Sequence, residues 1–99
     1  MIELNESNFN EAVNNDELTI VDFYAPWCGP CRMLTPVLEQ LSSQVKIVKV
    51  NTDDSPGIAS EHAITALPTI MFFKSGKVLG KMVGLTDKAR LEKKIAEYK

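Results

Sequence analysis

The residues most able to do chemistry stand together in Val21–Arg32, which reads VDFYAPWCGPCR. Both cysteines of the chain lie here, Cys28 and Cys31, separated by Gly29 and Pro30. Thiols at this spacing can bind metal, close a short disulfide or exchange disulfides with another molecule. In exchange chemistry the thiolate is the nucleophile, so reactivity depends on what makes the proton easy to lose. A helical pattern begins at or just after Cys28. The unpaired N–H groups of a first helical turn stabilise negative charge at that point. Cys31 is three residues further on and falls on the same face of the turn. Pro30 suits a first turn, where its missing N–H costs little and its ring limits the loop's freedom. A pair held in this way can cycle between dithiol and disulfide.

Other readings of the pair stay open. A zinc site needs about four ligands, and the only further strong candidate is His62, far along the chain. A metal bridging two chains through Cys28 and Cys31 is a second possibility. A purely structural disulfide closing so short a loop adds little stability, and inert buried thiols complete the set. Elemental analysis together with oligomeric state separates the metal readings from exchange chemistry.

Asp22 is the other anomaly, a carboxylate inside an apolar run. Side chains alternate along a strand, so Ile20, Asp22 and Tyr24 share a face. Burying a lone carboxylate is costly and raises its pKa. That makes Asp22 a candidate proton acceptor and donor for Cys31. The plain alternative is a strand-end aspartate that reaches water or pairs with a lysine.

The elements that must position these groups can be read from the apolar pattern. MIEL reads as a short edge strand, and Ser7 is expected to cap a short helix carrying Phe9, Ala12 and Val13. LTIVDFYA reads as a strand buried on both faces. Met33, Leu34, Val37, Leu38 and Leu41 form one stripe of the helix after Cys28, with Pro36 as a kink inside it. VKIVKVN is a second buried strand, and SPGIASEHA a short helix starting near Ser55 with Pro56 in its first turn. TIMFFK is a third buried strand, turned by Ser75-Gly76 into the lysine-bearing edge strand KVLGKMV. Asp87 caps a last helix with Leu91, Ile95 and Tyr98 on one face. Met33, Met71 and Met82 read as core or rim packing, and His62 as a solvated or capping residue. The order is β-α-β-α-β-α-β-β-α. It predicts an α/β fold with a right-handed parallel crossover, an antiparallel hairpin and a central mixed sheet of four to five strands, flanked by helices on both faces.

Composition narrows the function. Ninety-nine residues are enough for one domain, 1–99, and at 44% hydrophobic they can build a small core. The net charge of −2, without a basic run, gives no footprint for nucleic acid. No apolar stretch approaches membrane-spanning length, and the polar start MIELNESNFNE does not read as an export signal. A cytoplasmic protein is expected, and two cysteines there argue for chemistry or metal over a stapled scaffold.

A C-x-x-C pair beside a strand–helix–strand pattern is a known redox signature. With VDFYAPWCGPCR, LPT and VG in the expected order over the whole chain, the sequence resembles the thioredoxin family. The resemblance implies the thioredoxin fold. The activity it implies is general protein-disulfide reduction, in which Cys28 attacks a partner's disulfide and Cys31 resolves the mixed disulfide with help from Asp22, through a water. Lys49 matches a family lysine near that carboxylate. By the same resemblance the Leu67–Pro68 bond is cis, with Pro68 beside the cysteines and the Leu67 backbone pairing with an extended substrate segment. Trp27, Leu67, Pro68, Val83, Gly84 and Leu85 would form a shallow apolar groove around Cys28, while Gly29 and Pro30 support the site. The implied partners are disulfide-containing proteins and, as electron donor, a thioredoxin reductase. No metal or organic cofactor is expected, nor any nucleic-acid or membrane partner, and the protein is expected to be a monomer. The Gly-Pro spacer resembles reductases more than the His-containing spacers of oxidising relatives. Tyr24 stands where the family often has tryptophan, Ala66 where it has glycine and Arg32 where lysine is also common.

Overall fold

A computed structural model describes residues 1–99, and the nine elements occur in the expected order. They are β1 (Ile2–Leu4), α1 (Phe9–Val13), β2 (Thr19–Tyr24), α2 (Gly29–Leu41), β3 (Lys46–Asn51), α3 (Pro56–Glu61), β4 (Thr69–Lys74), β5 (Lys77–Val83) and α4 (Lys88–Tyr98). The strands form one five-stranded mixed sheet in the order β1-β3-β2-β4-β5. β2 is central, parallel to β3 on one side and antiparallel to β4 on the other. This explains the nearly all-apolar run: a strand with neighbours on both edges and helices on both faces has no side left for water.

The alternation along β2 splits the core in two. Ile20 points to one face, where Ile47, Ile70 and Phe72 pack against Leu34, Leu38 and Leu41 of α2 and Leu91 and Ile95 of α4. Val21 and Phe23 point to the other, with Val48, Val50, Met71 and Phe73 against Phe9 and Val13 of α1 and Ile58 of α3. Each fully buried leucine of α2 stabilises the fold by about 1.5–3 kcal/mol relative to an exposed one. Leu38→Ala, at a side chain with no exposure, would cost about 2–5 kcal/mol and loosen the helix that carries Cys31.

Local details correct two expectations and sharpen a third. The residue at the N-cap of α1 is Asn8, not Ser7. Asn5 has already captured Ser7: its Oδ1 accepts both the Ser7 hydroxyl at 2.6 Å and the Ser7 N–H at 2.9 Å. Met33 does not join the α2 stripe. It is 64% exposed, because Leu34, Leu38 and Leu41 with half-buried Val37 already fill the face toward the sheet. His62 caps α3, its N–H donating to the Ile58 carbonyl at 3.1 Å. Its ring, however, lies among Phe9, Phe23 and Phe73 at centroid distances of 5.2–5.9 Å instead of in water.

Elsewhere the local signals agree with the fold. Asp87 Oδ1 accepts the Arg90 N–H at 2.8 Å at the start of α4, and Pro36 lies inside α2 on its exposed side. On the edge strand, Gly80 leaves the space that the Tyr98 ring fills as it packs on Phe72 at 5.2 Å. No helix is long and apolar enough to cross a membrane.

Candidate functional site

β2 ends at Tyr24, and residues 25–28 turn the chain directly into α2. Several bonds fix that turn. The Cys28 N–H donates to the Ala25 carbonyl at 3.1 Å, and the Arg32 guanidinium reaches back to the Pro26 carbonyl at 2.7 Å. Thr52, just after β3, donates both its N–H, at 2.9 Å, and its hydroxyl, at 3.2 Å, to the Tyr24 carbonyl. The turn is thereby tied to the neighbouring strand as well as to its own helix.

Cys28 is the N-cap of α2, with extended backbone angles of φ −85° and ψ 111°, and Pro30 occupies the first turn. The Cys31 N–H donates to the Cys28 Sγ at 3.2 Å. The sulfur thus occupies the position where a capping oxygen usually sits, facing N–H groups that have no helical partner. Negative charge on this sulfur is stabilised. Cys28 and Cys31 form a disulfide with Cα atoms 5.3 Å apart. Both residues are buried and cluster with Ala25, against half-buried Tyr24 and Leu67. Burial shields the bond, and Cys28, at 5% exposure against 2% for Cys31, is the less covered of the two.

The Leu67–Pro68 bond is cis. The Pro68 carbonyl accepts the Gly84 N–H at 2.8 Å, which brings the end of β5 beside the loop before β4. Gly84 has φ +92°, a conformation that glycine adopts without penalty. Val83 and Leu85 flank it, 58% and 47% exposed. A shallow cleft of about 460 Å³ opens beside Cys28, walled by Trp27, Gly29, Pro30, Thr52 and the run Ile64–Leu67. Trp27 and Leu67 therefore share one cleft with Cys28, whereas Val83, Gly84 and Leu85 adjoin Pro68 outside its walls. A second cleft of about 450 Å³ lies at the opposite end of β2, between Asp16–Leu18, Ser42–Lys46, Lys74 and Lys99, and contains no thiol.

Asp22 is 1% exposed, and neither carboxylate oxygen has a hydrogen-bond partner. Burial pushes its pKa up to about 7; Lys49 opposes the rise and Glu3 adds to it. Lys49 is its register partner on β3, half-buried and without an ion pair. The remaining candidate ligand, His62, sits among the phenylalanines on the other face of the sheet. No group of three or more His, Cys, Asp or Glu side chains is arranged to hold a metal ion.

The sequence pattern does not point to Thr52, Asp53, Glu3 or the wall residues Ile64 and Thr65, whereas Ala66, singled out there, does line the cleft. Asp53 accepts the Trp27 indole N–H at 3.0 Å. Its only signal is an acidic pair, Asp53-Asp54, in which either residue could serve.

Similarity to known proteins agrees with this geometry. The family model described as Thioredoxin matches residues 1–97. The chain is 48% identical over 92 residues to a thioredoxin of Porphyra purpurea, covering 89% of this chain and 86% of that one. It is 43% identical over 101 residues to a thioredoxin of Synechocystis sp., covering 97% and 94%. A thioredoxin structure from Fasciola hepatica superposes with a TM-score of 0.92 at 32% identity, covering all of both chains.

Proposed function

The chain belongs to the thioredoxin family and is a dithiol protein-disulfide oxidoreductase, and from that premise we propose that Cys28 attacks, Cys31 resolves and Asp22 handles the resolving proton. In the reduced protein the Cys28 thiolate attacks one sulfur of a partner's disulfide. The partner's S–S bond breaks, its other sulfur leaves as thiolate, and a mixed disulfide forms. Asp22 then takes the proton of Cys31, through a water. The Cys31 thiolate attacks the Cys28 sulfur, expels the partner's second thiolate and closes the Cys28–Cys31 bond. Two electrons have passed to the partner, which leaves as a dithiol.

The observation that carries the assignment is the hydrogen bond from the Cys31 N–H to the Cys28 sulfur at a helix N-terminus. It stabilises the thiolate at Cys28 and gives the two sulfurs different roles. A carboxyl that titrates near neutral pH supports the part given to Asp22, because proton exchange is most effective when the pKa lies near the working pH. Lys49 tunes that carboxyl, and Gly29 and Pro30 shape the turn between the sulfurs. Trp27, Leu67, Pro68, Val83, Gly84 and Leu85 receive the partner's extended chain on an apolar rim beside Cys28.

The electron donor we infer is a thioredoxin reductase, since the oxidised protein must regain two electrons. We also infer a cytoplasmic site of action, because the dithiol is maintained only in a reducing compartment. The acting unit is a monomer of one domain, residues 1–99. Cys31→Ser tests the division of labour: with a disulfide-bonded substrate protein it should accumulate a mixed disulfide at Cys28, seen by mass spectrometry after acid quench. A trapped bond at any other position, or none, would refute it.

A further inference from the structure

The sheet brings four polar side chains into a row that the mechanism uses only in part. Glu3 of β1 is the register partner of Lys49, and Lys49 of β3 is the register partner of Asp22. Partners on adjacent parallel strands point to the same face, and Tyr24, two residues beyond Asp22, points there too. The row runs inward from the exposed edge: Glu3 is exposed, Lys49 and Tyr24 are half-buried and Asp22 is buried. The Tyr24 hydroxyl donates to Glu3 Oε1. The Lys49 ammonium stands 4.2 Å from the centroid of the Tyr24 ring. The ion pairs of the chain are Asp87–Arg90 and Lys94–Glu97, both on α4 or at its cap, so Lys49 is paired with neither carboxylate of the row.

One cation therefore lies between two anions, over the face of a ring whose hydroxyl is bonded to the outer anion. The ring attracts the ammonium through its negative face, and its bond to Glu3 adds negative charge on the outer side. Tyr24 also packs against the cysteine cluster, so the same side chain touches the redox centre and anchors Glu3.

We propose that Glu3, tethered by Tyr24, is a positioning residue for Lys49: the pair holds the ammonium over the Tyr24 ring, toward the edge of the sheet and away from Asp22. The inference rests on the reading that Asp22 handles the proton of Cys31. With Lys49 drawn outward, Asp22 keeps little of the stabilisation a close cation would give its charged form, and it retains its proton into the neutral range. The groups that face Asp22 are Glu3 from β1, Lys49 from β3 and Tyr24 from its own strand, with Asp54 in the loop after β3 acting on Tyr24. β4 sets Ile70 opposite Asp22. α2 and α4 bring Leu34, Leu38, Leu91 and Ile95 to that face, and Cys31 carries no charge in the disulfide.

The test tracks Asp22 itself, by the pH dependence of its carboxyl carbon shift in the oxidised full chain, alongside the pH profile of mixed-disulfide resolution in the reduced protein. Glu3→Gln keeps an acceptor for Tyr24 but removes the charge. It should lower the Asp22 midpoint by about half a unit, a threefold loss of proton affinity. Tyr24→Phe should shift it the same way. In a Lys49→Gln background, Glu3→Gln should move Asp22 less, because only the direct Coulombic effect of Glu3 on Asp22 then remains. An unmoved midpoint, or an equal shift in both backgrounds, overturns the positioning role. A midpoint that moves while the resolution profile stays fixed supports the positioning of Lys49 and removes Asp22 from the proton transfer instead.

Discussion

The indole N–H of Trp27 donates to Asp53 Oδ2 at 3.0 Å, tying the residue before Cys28 to the loop after β3. Trp27 is 69% exposed, and without this bond nothing polar would hold its ring. The bond sets the indole as one wall of the cleft beside the disulfide, so an apolar surface is presented in a fixed orientation.

Asp53→Ala should therefore weaken substrate capture more than chemistry. An exposed hydrogen bond contributes about 0.5–1.5 kcal/mol, which corresponds to a KM for protein disulfides higher by roughly 2–10-fold. Steady-state reduction of a protein disulfide, with Trp27 fluorescence anisotropy as a check on ring mobility, measures it. A fall in kcat at unchanged KM would count against the assignment.

Asp22 costs stability at neutral and alkaline pH. Its folded pKa, about 7, lies above the ordinary carboxyl value of 3.8, so the folded state binds the proton more tightly than the unfolded chain. Wild-type stability should rise as pH falls from about 8 toward 4, and the penalty is complete above the folded value. Asp22→Asn removes the charge. It should be more stable than wild type at pH 8.5 by a few kcal/mol, with about 4 kcal/mol as the ceiling at 1.36 kcal/mol per unit. The advantage should disappear near pH 4. Urea unfolding at both pH values checks this, and an advantage independent of pH would show that the gain is not electrostatic.

Glu6 joins the loop after β1 to the start of α3, its Oε1 accepting the Gly57 N–H at 2.6 Å. A carboxylate on a first-turn N–H is a charge-assisted bond, so Glu6→Ala should cost about 1–2 kcal/mol. A Cβ at Gly57 would run into the same carboxylate. Gly57→Ala should displace that flexible carboxylate and lose the same bond, offset in part by the roughly 0.5–1 kcal/mol that alanine gains over glycine in a helix, and adding it to Glu6→Ala should cost nothing further. Additive losses in urea denaturation would show that the two residues act independently.

Gly84 offers a cleaner backbone test. Nothing lies within 4 Å of a Cβ placed there, yet its φ of +92° is one that side chains rarely adopt. Gly84→Ala should destabilise by about 1–3 kcal/mol through strain alone. It should also raise KM, because the Gly84 N–H is bonded to the carbonyl of Pro68, the neighbour of Leu67, which walls the cleft beside Cys28. Thermal unfolding and substrate titration read the two effects separately.

Legibility in the sequence depends on range. The nine elements are legible because each buried strand and each amphipathic helix carries its own pattern, as in TIMFFK or in Leu34, Leu38 and Leu41. Asp22 stands out because a carboxylate violates such a pattern. The α1 cap is harder to place, because Asn5 engages Ser7 while Asn8 accepts the Asn5 N–H, and three residues of similar capping propensity lie within four positions. Contacts between distant segments are legible only where the family resemblance supplies them, as for Lys49 beside Asp22 and Leu67 beside Cys28. Nothing in MIEL links Glu3 to Tyr24, nor Glu6 to Gly57, until the sheet order sets β1 beside β3. His62 looks polar, and only the fold shows three phenylalanines around it.

The central position of β2 bears on when the site can come into being. One edge of β2 pairs with β3, which the chain reaches only after the whole of α2, and the other with β4, beginning at Thr69. A chain still emerging from the ribosome thus carries both sulfurs well before Thr52 and Ile64–Leu67 are available to wall the cleft beside Cys28. At that stage the start of α2 can already cap the Cys28 sulfur, but Asp22 is not yet enclosed by the sheet and the wall from Ile64 to Leu67 is missing. The burial of Asp22 and the full cleft beside Cys28 are in this sense properties of the completed sheet, whereas the capped sulfur belongs to α2 alone.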